Sequence, residues 1–315
     1  FWWRKMIISA SYRTDIPAFY GEWFEKRLEA GYCSVSNPYN SHQVRRVSLA
    51  REDVDGFVFW TRNIGPFMGR LSRVADLGRP FIVQQTATCY PRALEPAAVG
   101  AAVAVRQIRA VAEAYGPKAA VWRYDPIVFS SLTPAEFHLE NFERLAGALE
   151  GATDEVVISF AQIYRKAARN LDLAARNFGF AWMDPPDDVK LDLASKLGEV
   201  ARRHGMNLSI CSQRKYIVPG AKAARCVDAP RLAAVGGRPI RARLKGKRPD
   251  CGCYEAVDIG EYDTCPAGCA FCYAVLHREI ALRRRESHDP EGEFLWGPGE
   301  EAASSPESKG QTTLF

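Results

Sequence analysis

Short apolar runs bounded by Gly, Pro and polar residues recur along the chain, and longer amphipathic runs separate them. Met6-Ile-Ile-Ser-Ala-Ser11 reads as a buried strand, and Tyr12-Arg-Thr-Asp-Ile-Pro17 as the loop after it. Over 18–30, Phe19, Trp23, Phe24 and Leu28 share one helical stripe, which Gly31 should stop. Residues 33–37 predict a short strand, and 56–63 a stronger one with a polar end. A helix over 66–77 then leads to a strand at 80–86. An Ala/Val-rich helix over 96–115 precedes a strand at 120–126, and a helix over 133–149 precedes one at 155–160. Thr133, with Glu136 three residues on, has the form of a capping box. The run 168–186 shows no period and reads as irregular; a helix over 187–203 then precedes a strand at 207–212. An irregular basic stretch follows, then a last strand at 255–259.

Eight short strands alternating with helices predict parallel βα units in an α/β fold. Eight such units close a (β/α)8 TIM-type barrel, here a single domain over 6–285, with its sites at the carboxyl ends of the strands. An open, doubly wound sheet is the rival arrangement. Past Arg285 the sequence turns to Ser, Glu, Gly and Pro, so 286–315 reads as a disordered tail.

Composition narrows the class. Apolar residues make up 47% of the 315, enough for a large core, yet no run is long enough to span a membrane. The opening Phe1-Trp-Trp-Arg-Lys5 has neither an initiator Met nor the apolar core of a signal peptide, and Met6 reads as the natural start. The net charge of +5 is modest, and its concentrations at 241–248 and 283–285 suit solvated faces better than phosphate contacts. Nine cysteines, an odd number clustered late, suit a cytoplasmic metal-binding protein better than a disulfide framework.

Three of them stand in Cys265-Pro-Ala-Gly-Cys269-Ala-Phe-Cys272-Tyr-Ala274, between a strand-like and a helix-like run. Pro266 and Gly268 favour a turn, and three thiolates on one loop can hold three irons of a 4Fe–4S cube, leaving the fourth iron open. A structural zinc site or plain surface thiols are the blander readings, but zinc usually takes four ligands in C-x2-C pairs. Cys211, Cys226, Cys251 and Cys253 form a second late group. Their number would suit a second iron–sulfur cluster or a zinc ion, but their spacing is irregular and small buried thiols are the alternative.

C-x3-C-x2-C with an aromatic before the last Cys resembles the signature of radical SAM enzymes, and the ending Cys-Tyr-Ala resembles the spore-photoproduct-lyase-like branch. From Met6-Ile-Ile-Ser-Ala-Ser11 to Cys-Tyr-Ala, the chain is similar to a bacterial family of unknown function with this motif at its C-terminus. The resemblance implies a 4Fe–4S cluster on Cys265, Cys269 and Cys272 that binds S-adenosyl-L-methionine (SAM) and generates a 5′-deoxyadenosyl radical. It also implies an electron donor such as flavodoxin or ferredoxin. Cysteine loops of this superfamily usually follow the first strand; here the loop follows the eighth, which makes a closed barrel a circular permutation. The superfamily's Gly-Gly-Glu-type stretch is absent.

Polar residues at strand ends supply the remaining candidates. Arg13 could pair with the SAM carboxylate and Asp15 with its ammonium or ribose, with Thr14 between them; a loop salt bridge or a helix cap is the structural alternative. Trp60, Thr61, Arg62 and Asn63, then Gln84, Gln85 and Thr86, offer hydrogen-bond groups and an aromatic face to adenosine or substrate, with Thr61, Asn63 and Gln85 as the cofactor contacts. Arg123 and Asp125 could bind an anion or move a proton, or simply pair to hold the fold. A small-molecule substrate is favoured over a nucleic acid. Nucleic-acid repair or modification, or a non-enzymatic iron–sulfur or zinc redox protein, are the competing functions.

Overall fold

The computed structural model describes residues 5–38, 40–246 and 248–297. In chain order, β1 (Met6–Ala10) leads to α1 (Ile16–Phe19) and α2 (Gly21–Ala30), then to the strands β2 (Tyr32–Asn37) and β3 (Asn40–Ser48). Next come β4 (Val54–Thr61), α3 (Met68–Asp76), β5 (Phe81–Thr86), α4 (Ala101–Tyr115) and β6 (Ala120–Ile127). The short β7 (Phe129–Ser130) precedes α5 (Ala135–Leu149), β8 (Glu155–Phe160), α6 (Arg165–Phe178) and β9 (Trp182–Met183). The chain continues through α7 (Asp187–Arg203), β10 (Asn207–Ile210), β11 (Lys222–Ala223), α8 (Ala229–Gly236), β12 (Ala256–Asp258) and α9 (Arg278–Glu286).

Eight strands form one sheet in the order β11-β10-β8-β6-β5-β4-β1-β12, and every neighbouring pair is parallel. The fold is therefore α/β, as the alternation of runs predicts. The sheet has two edges, β11 and β12, so no ladder closes it into a barrel among the described residues. Membership also differs from expectation. Residues 33–37 belong to β2, which pairs antiparallel with β3 in a separate hairpin, while the two-residue β11 takes the eighth place. β11 escapes notice because two residues carry no period.

Side chains alternate across the sheet with the two-residue repeat of a strand. Ile8, Phe57, Phe59, Val83, Trp122 and Ile158 pack in the large helix-lined core. Ile7, Val58, Ile82, Val121 and Val157 pack on the opposite, inner face, where Ala229 and Leu232 of α8 join them. Burial on both faces explains the near-continuous apolar runs. Gly56 is required here: a Cβ would lie 2.8 Å from the Pro80 carbonyl oxygen and 3.1 Å from Leu232.

Several local expectations are corrected. Gly31 does end α2, with φ +77 in the left-handed region. The capping box is not made: Thr133 Oγ1 donates to Val128 O at 2.7 Å, and α5 starts without a side-chain cap. The run 168–186 is mostly α6, and α8 lies in the stretch read as irregular. The tail reading fails for 287–297. Ser34 N donates to Glu293 O (2.9 Å), Trp23 Nε1 to Gly292 O (3.0 Å), and Leu295 and Trp296 are buried. Two large apolar anchors hold a segment whose average composition is polar. Residues 298–315 lie outside the described residues. No helix among the described residues is long and apolar enough to cross a membrane.

Candidate cysteine-loop site at the carboxyl edge of the sheet

Because the sheet is parallel throughout, its strands present their carboxyl ends along one edge. β12 aligns with β1, pairing Ser9 with Asp258, so the cysteine loop after β12 emerges beside Arg13 and Asp15 after β1. Asn63 follows β4, and Arg123, in the middle of β6 but level with Thr86 at the end of β5, lies along the same edge.

Hydrogen bonds from three sides fix the loop. Tyr20 Oη donates to Thr264 O (2.6 Å), Ala270 N to Leu94 O (2.9 Å) and Tyr273 Oη to Tyr12 O (2.5 Å). Gly268, at φ +76, makes the turn between the first two cysteines. All three cysteines are free and half-buried as residues, and Ala274 N donates to Cys272 Sγ at 3.3 Å. Burial pushes the Cys269 thiol up to about 12 against the opposing charge of Arg62. Cys265 is raised by burial and by Asp15, Cys272 and Cys269, and Cys272 is raised by burial. A metal must displace these protons.

Behind the loop, Arg62 pairs with Glu95 at 2.6 Å and lies 5.6 Å over the Phe271 ring. Thr88 Oγ1 donates to the same Glu95 oxygen (2.6 Å). Glu95 is only 1% exposed, and nothing in its sequence context marks it. Asp15 accepts from Ala18 N (3.0 Å), as the N-cap of α1, and from Arg62 N (2.8 Å). It is thus a helix cap, and the ligand reading of Asp15 competes with two backbone bonds already made.

Burial raises Asp15 to about 6, against hydrogen bonds from Arg62, Thr61 and Ala18. Burial lowers His138 to about 4. Tyr124 Oη lies 3.0 Å from His138 Nδ1 and Val128 O 3.1 Å from its Nε2. The two groups act oppositely on stability. Between about pH 4 and 6 the folded Asp15 binds more protons than the unfolded chain, so its contribution falls as pH rises. The folded His138 binds fewer between about pH 4 and 6.5, so its contribution rises with pH. Each spans on the order of 3 kcal/mol, and they largely cancel. Asp15→Asn is therefore expected to make urea-measured stability fall more steeply from pH 6 to 4 than in the parent. A profile of unchanged slope would refute the assignment.

The inner face carries a polar layer near its carboxyl end. Asp258 accepts from Ser9 Oγ (2.7 Å), Ser11 Oγ (2.6 Å), Tyr12 N (3.1 Å) and Gly260 N (3.0 Å). Trp60 Nε1 donates to Ser9 Oγ at 3.0 Å. The Arg123 guanidinium lies 5.1 Å over the Trp60 ring and donates to Gln84 Oε1 (3.2 Å), to Cys226 Sγ (3.0 Å) and to Asp125. Asp125 also accepts from Ser159 Oγ. Burial works against the charge on Arg123, but Asp125, Cys226 and Cys211 outweigh it and raise its pKa.

The second cysteine group meets this layer. Cys211 and Cys226 Sγ are 3.6 Å apart, and Cys253 bears on the protonation of Cys226, as Cys251 does on that of Cys253. Arg248 Nη2 reaches Cys211 Sγ at 3.6 Å. Cys211, Cys226 and Cys253 share one buried cluster with Cys251 packed against it, so the chain between β10 and β12 folds back to bring them together. Among the described residues, however, no group of three or more His, Cys, Asp or Glu is arranged to hold a metal ion. Tetrahedral zinc requires four donors about one point, so the zinc expectation lacks its cage here. That geometry does not bear on a cube, whose thiolates bind different irons.

The other candidates divide by strand register. Gln85 Nε2 donates to Gln107 Oε1 (2.8 Å), and Gln107 Nε2 to Asn63 Oδ1 (2.7 Å), so both candidates face α4 and not the inner face. Thr61 Oγ1 accepts from Asn63 N (2.9 Å). The adjacent Trp60 and Gln84 occupy the inner face instead; a one-residue offset exchanges the two sides. Arg13 stands 3.9 Å from Asp258, between the Tyr12 and Tyr262 rings. Thr14 is buried, its hydroxyl without a hydrogen-bond partner.

Fold and site together define an α/β protein with a cysteine-bearing loop at the carboxyl edge of a parallel sheet. The chain belongs to the family described as a domain of unknown function, DUF1848, whose model matches residues 7–274, from β1 through the cysteine loop. No curated protein matches it.

Proposed function

We propose that this protein is a radical SAM-type iron–sulfur enzyme acting on a small molecule. The observation that carries the reading is the loop bearing Cys265, Cys269 and Cys272, whose thiols influence one another's protonation and rest on the buried Arg62–Glu95 pair. The donor set fits a 4Fe–4S cluster: three soft ligands leave one iron open, and a nearby cation offsets their negative charge. When bound with SAM, such a cluster supplies a 5′-deoxyadenosyl radical for hydrogen abstraction. The chain's own residues bind, orient and exclude water. Thr14, with its unpartnered hydroxyl, and Arg13 stand closest in sequence to the edge where SAM would bind. Arg123 and Asp125 would position the substrate from the inner face.

A (β/α)8 ring permuted so that the cysteine loop follows its last strand is part of this proposal. Two features support it: β12 lies against β1, and Tyr254 N donates to Val227 O (3.0 Å) between the stretches flanking the sheet's two edges. A second cluster on Cys211, Cys226, Cys251 and Cys253, a flavodoxin- or ferredoxin-like donor, and a reducing cytoplasm that suits nine free thiols complete it. Anaerobic reconstitution with iron and sulfide, then incubation with SAM and a strong reductant, tests it. The expected product is 5′-deoxyadenosine; a fully loaded cluster that leaves SAM intact under strong reduction refutes the enzyme reading and favours an electron carrier.

A further inference from the structure

We propose that the cleft beside β12 binds a phosphorylated small molecule through a ring of basic side chains. The cleft, of about 820 Å³, lies between β12, β1, the β2–β3 hairpin and the chain at 242–246. That volume is in the range of small-molecule sites, roughly 300–1,000 Å³, and is too small to enclose a nucleic-acid duplex. Among the described residues, Lys5, Arg13, Arg45, Arg243 and Lys245 line it, against Glu255 and Asp258. Both carboxylates are already engaged with cations of the cleft: Glu255 with Arg243 (3.0 Å) and Lys245 (3.1 Å), and Asp258 with Arg13 (3.9 Å) as well as with the serine hydroxyls of the inner face. Five cations against two carboxylates leave the lining positive, with Lys5 and Arg45 the cations that lack a carboxylate among the described residues. That excess suits a ligand carrying more than one negative charge, as a phosphate ester does.

Unsatisfied hydrogen-bonding groups give a second, independent indication. Arg13 Nε and Ser36 Oγ are buried without a hydrogen-bond partner, and both residues line the cleft. Folded proteins leave few buried polar atoms unpaired, so two in the lining of one cleft mark places for a ligand's oxygens. Val35, Val44 and Ala242 supply apolar surface for an organic remainder. This proposal does not depend on an iron–sulfur cluster, although Tyr12 joins the cleft to the cysteine loop through Tyr273.

Calorimetry on the full chain without added iron, with adenosine 5′-monophosphate and inorganic pyrophosphate as probes, decides the matter. Saturable binding is expected for the nucleotide, weaker at about 200 mM salt than at about 50 mM. Arg45→Glu and Lys5→Glu, each checked for folding by circular dichroism, should weaken it about tenfold or more. Arg176→Glu, which reverses an exposed charge on α6 far from the cleft, should not. No saturable binding of either probe up to about 1 mM, or equal binding by all variants, overturns the proposal. A single-stranded oligonucleotide that binds tighter than the nucleotide would also overturn it, by assigning the cleft to nucleic acid.

Discussion

Replacing Cys265, Cys269 and Cys272 together by alanine is expected to abolish loop-bound iron and all SAM cleavage while the fold persists. Each thiol sits on a loop held mostly by main-chain bonds, such as Ala270 N to Leu94 O at 2.9 Å and Cys272 N to Cys269 O at 3.1 Å. Tyr20 and Tyr273 brace it through their hydroxyls. None of these contacts requires a sulfur, so the sheet should lose little stability. A cube bound by three thiolates loses every protein ligand in the triple variant, and metal binding has no partial form there. The measurement is iron and sulfide per chain in anaerobic protein, beside far-ultraviolet circular dichroism. The second cysteine group sets the control: Cys251→Ala and Cys253→Ala leave the loop intact and should preserve SAM cleavage even if total iron falls. Unchanged iron and SAM cleavage in the triple variant would end the proposal, as would stoichiometric zinc in place of iron.

Much of the molecule could be anticipated from its pattern, and the failures have physical causes. The strands 120–126, 155–160 and 207–212 are legible because burial on both faces gives each a short, mainly apolar run between turn residues. The same property hid which residue faces which side. With no polar–apolar alternation to set the phase, Gln84 and Gln85 are equivalent in sequence, yet Gln84 reaches Cys226 O on the inner face at 3.0 Å and Gln85 bonds α4. β2 looked like any other short strand; its partner β3, Asn-Ser-His-Gln-Val-Arg-Arg-Val-Ser, is too polar to read as a strand alone. The cysteine loop was legible because ligand spacing is local. Glu95, Ser159 and Asp258 were not, because each gains its role only through partners brought together by the fold, Asp258 from a residue 249 positions away.

The inner-face ion pair carries the other large expected effect. Arg123 and Asp125 bond directly; the arginine side chain is 6% exposed and the aspartate 15%. Asp125→Ala leaves a buried guanidinium with Gln84 Oε1 and Cys226 Sγ as neutral acceptors, so its charge is uncompensated. Breaking a buried pair from one side costs about 3–5 kcal/mol; here the lower part of that range is expected, because the carboxylate edge reaches solvent. Arg123→Met should cost less. Asp125 keeps the Ser159 hydroxyl, and a methionine can lie along Trp60 where the guanidinium now stacks 5.1 Å from the ring centroid. The double variant should then be more stable than Asp125→Ala alone, since it removes the stranded charge along with its partner. Urea unfolding at neutral pH measures all three, with a shift of midpoint at constant slope as the signature. If Asp125→Ala shifts stability by less than about 0.5 kcal/mol, the range of surface changes, water reaches the pair freely. The inner face would then not be a dry site able to hold a substrate against Arg123.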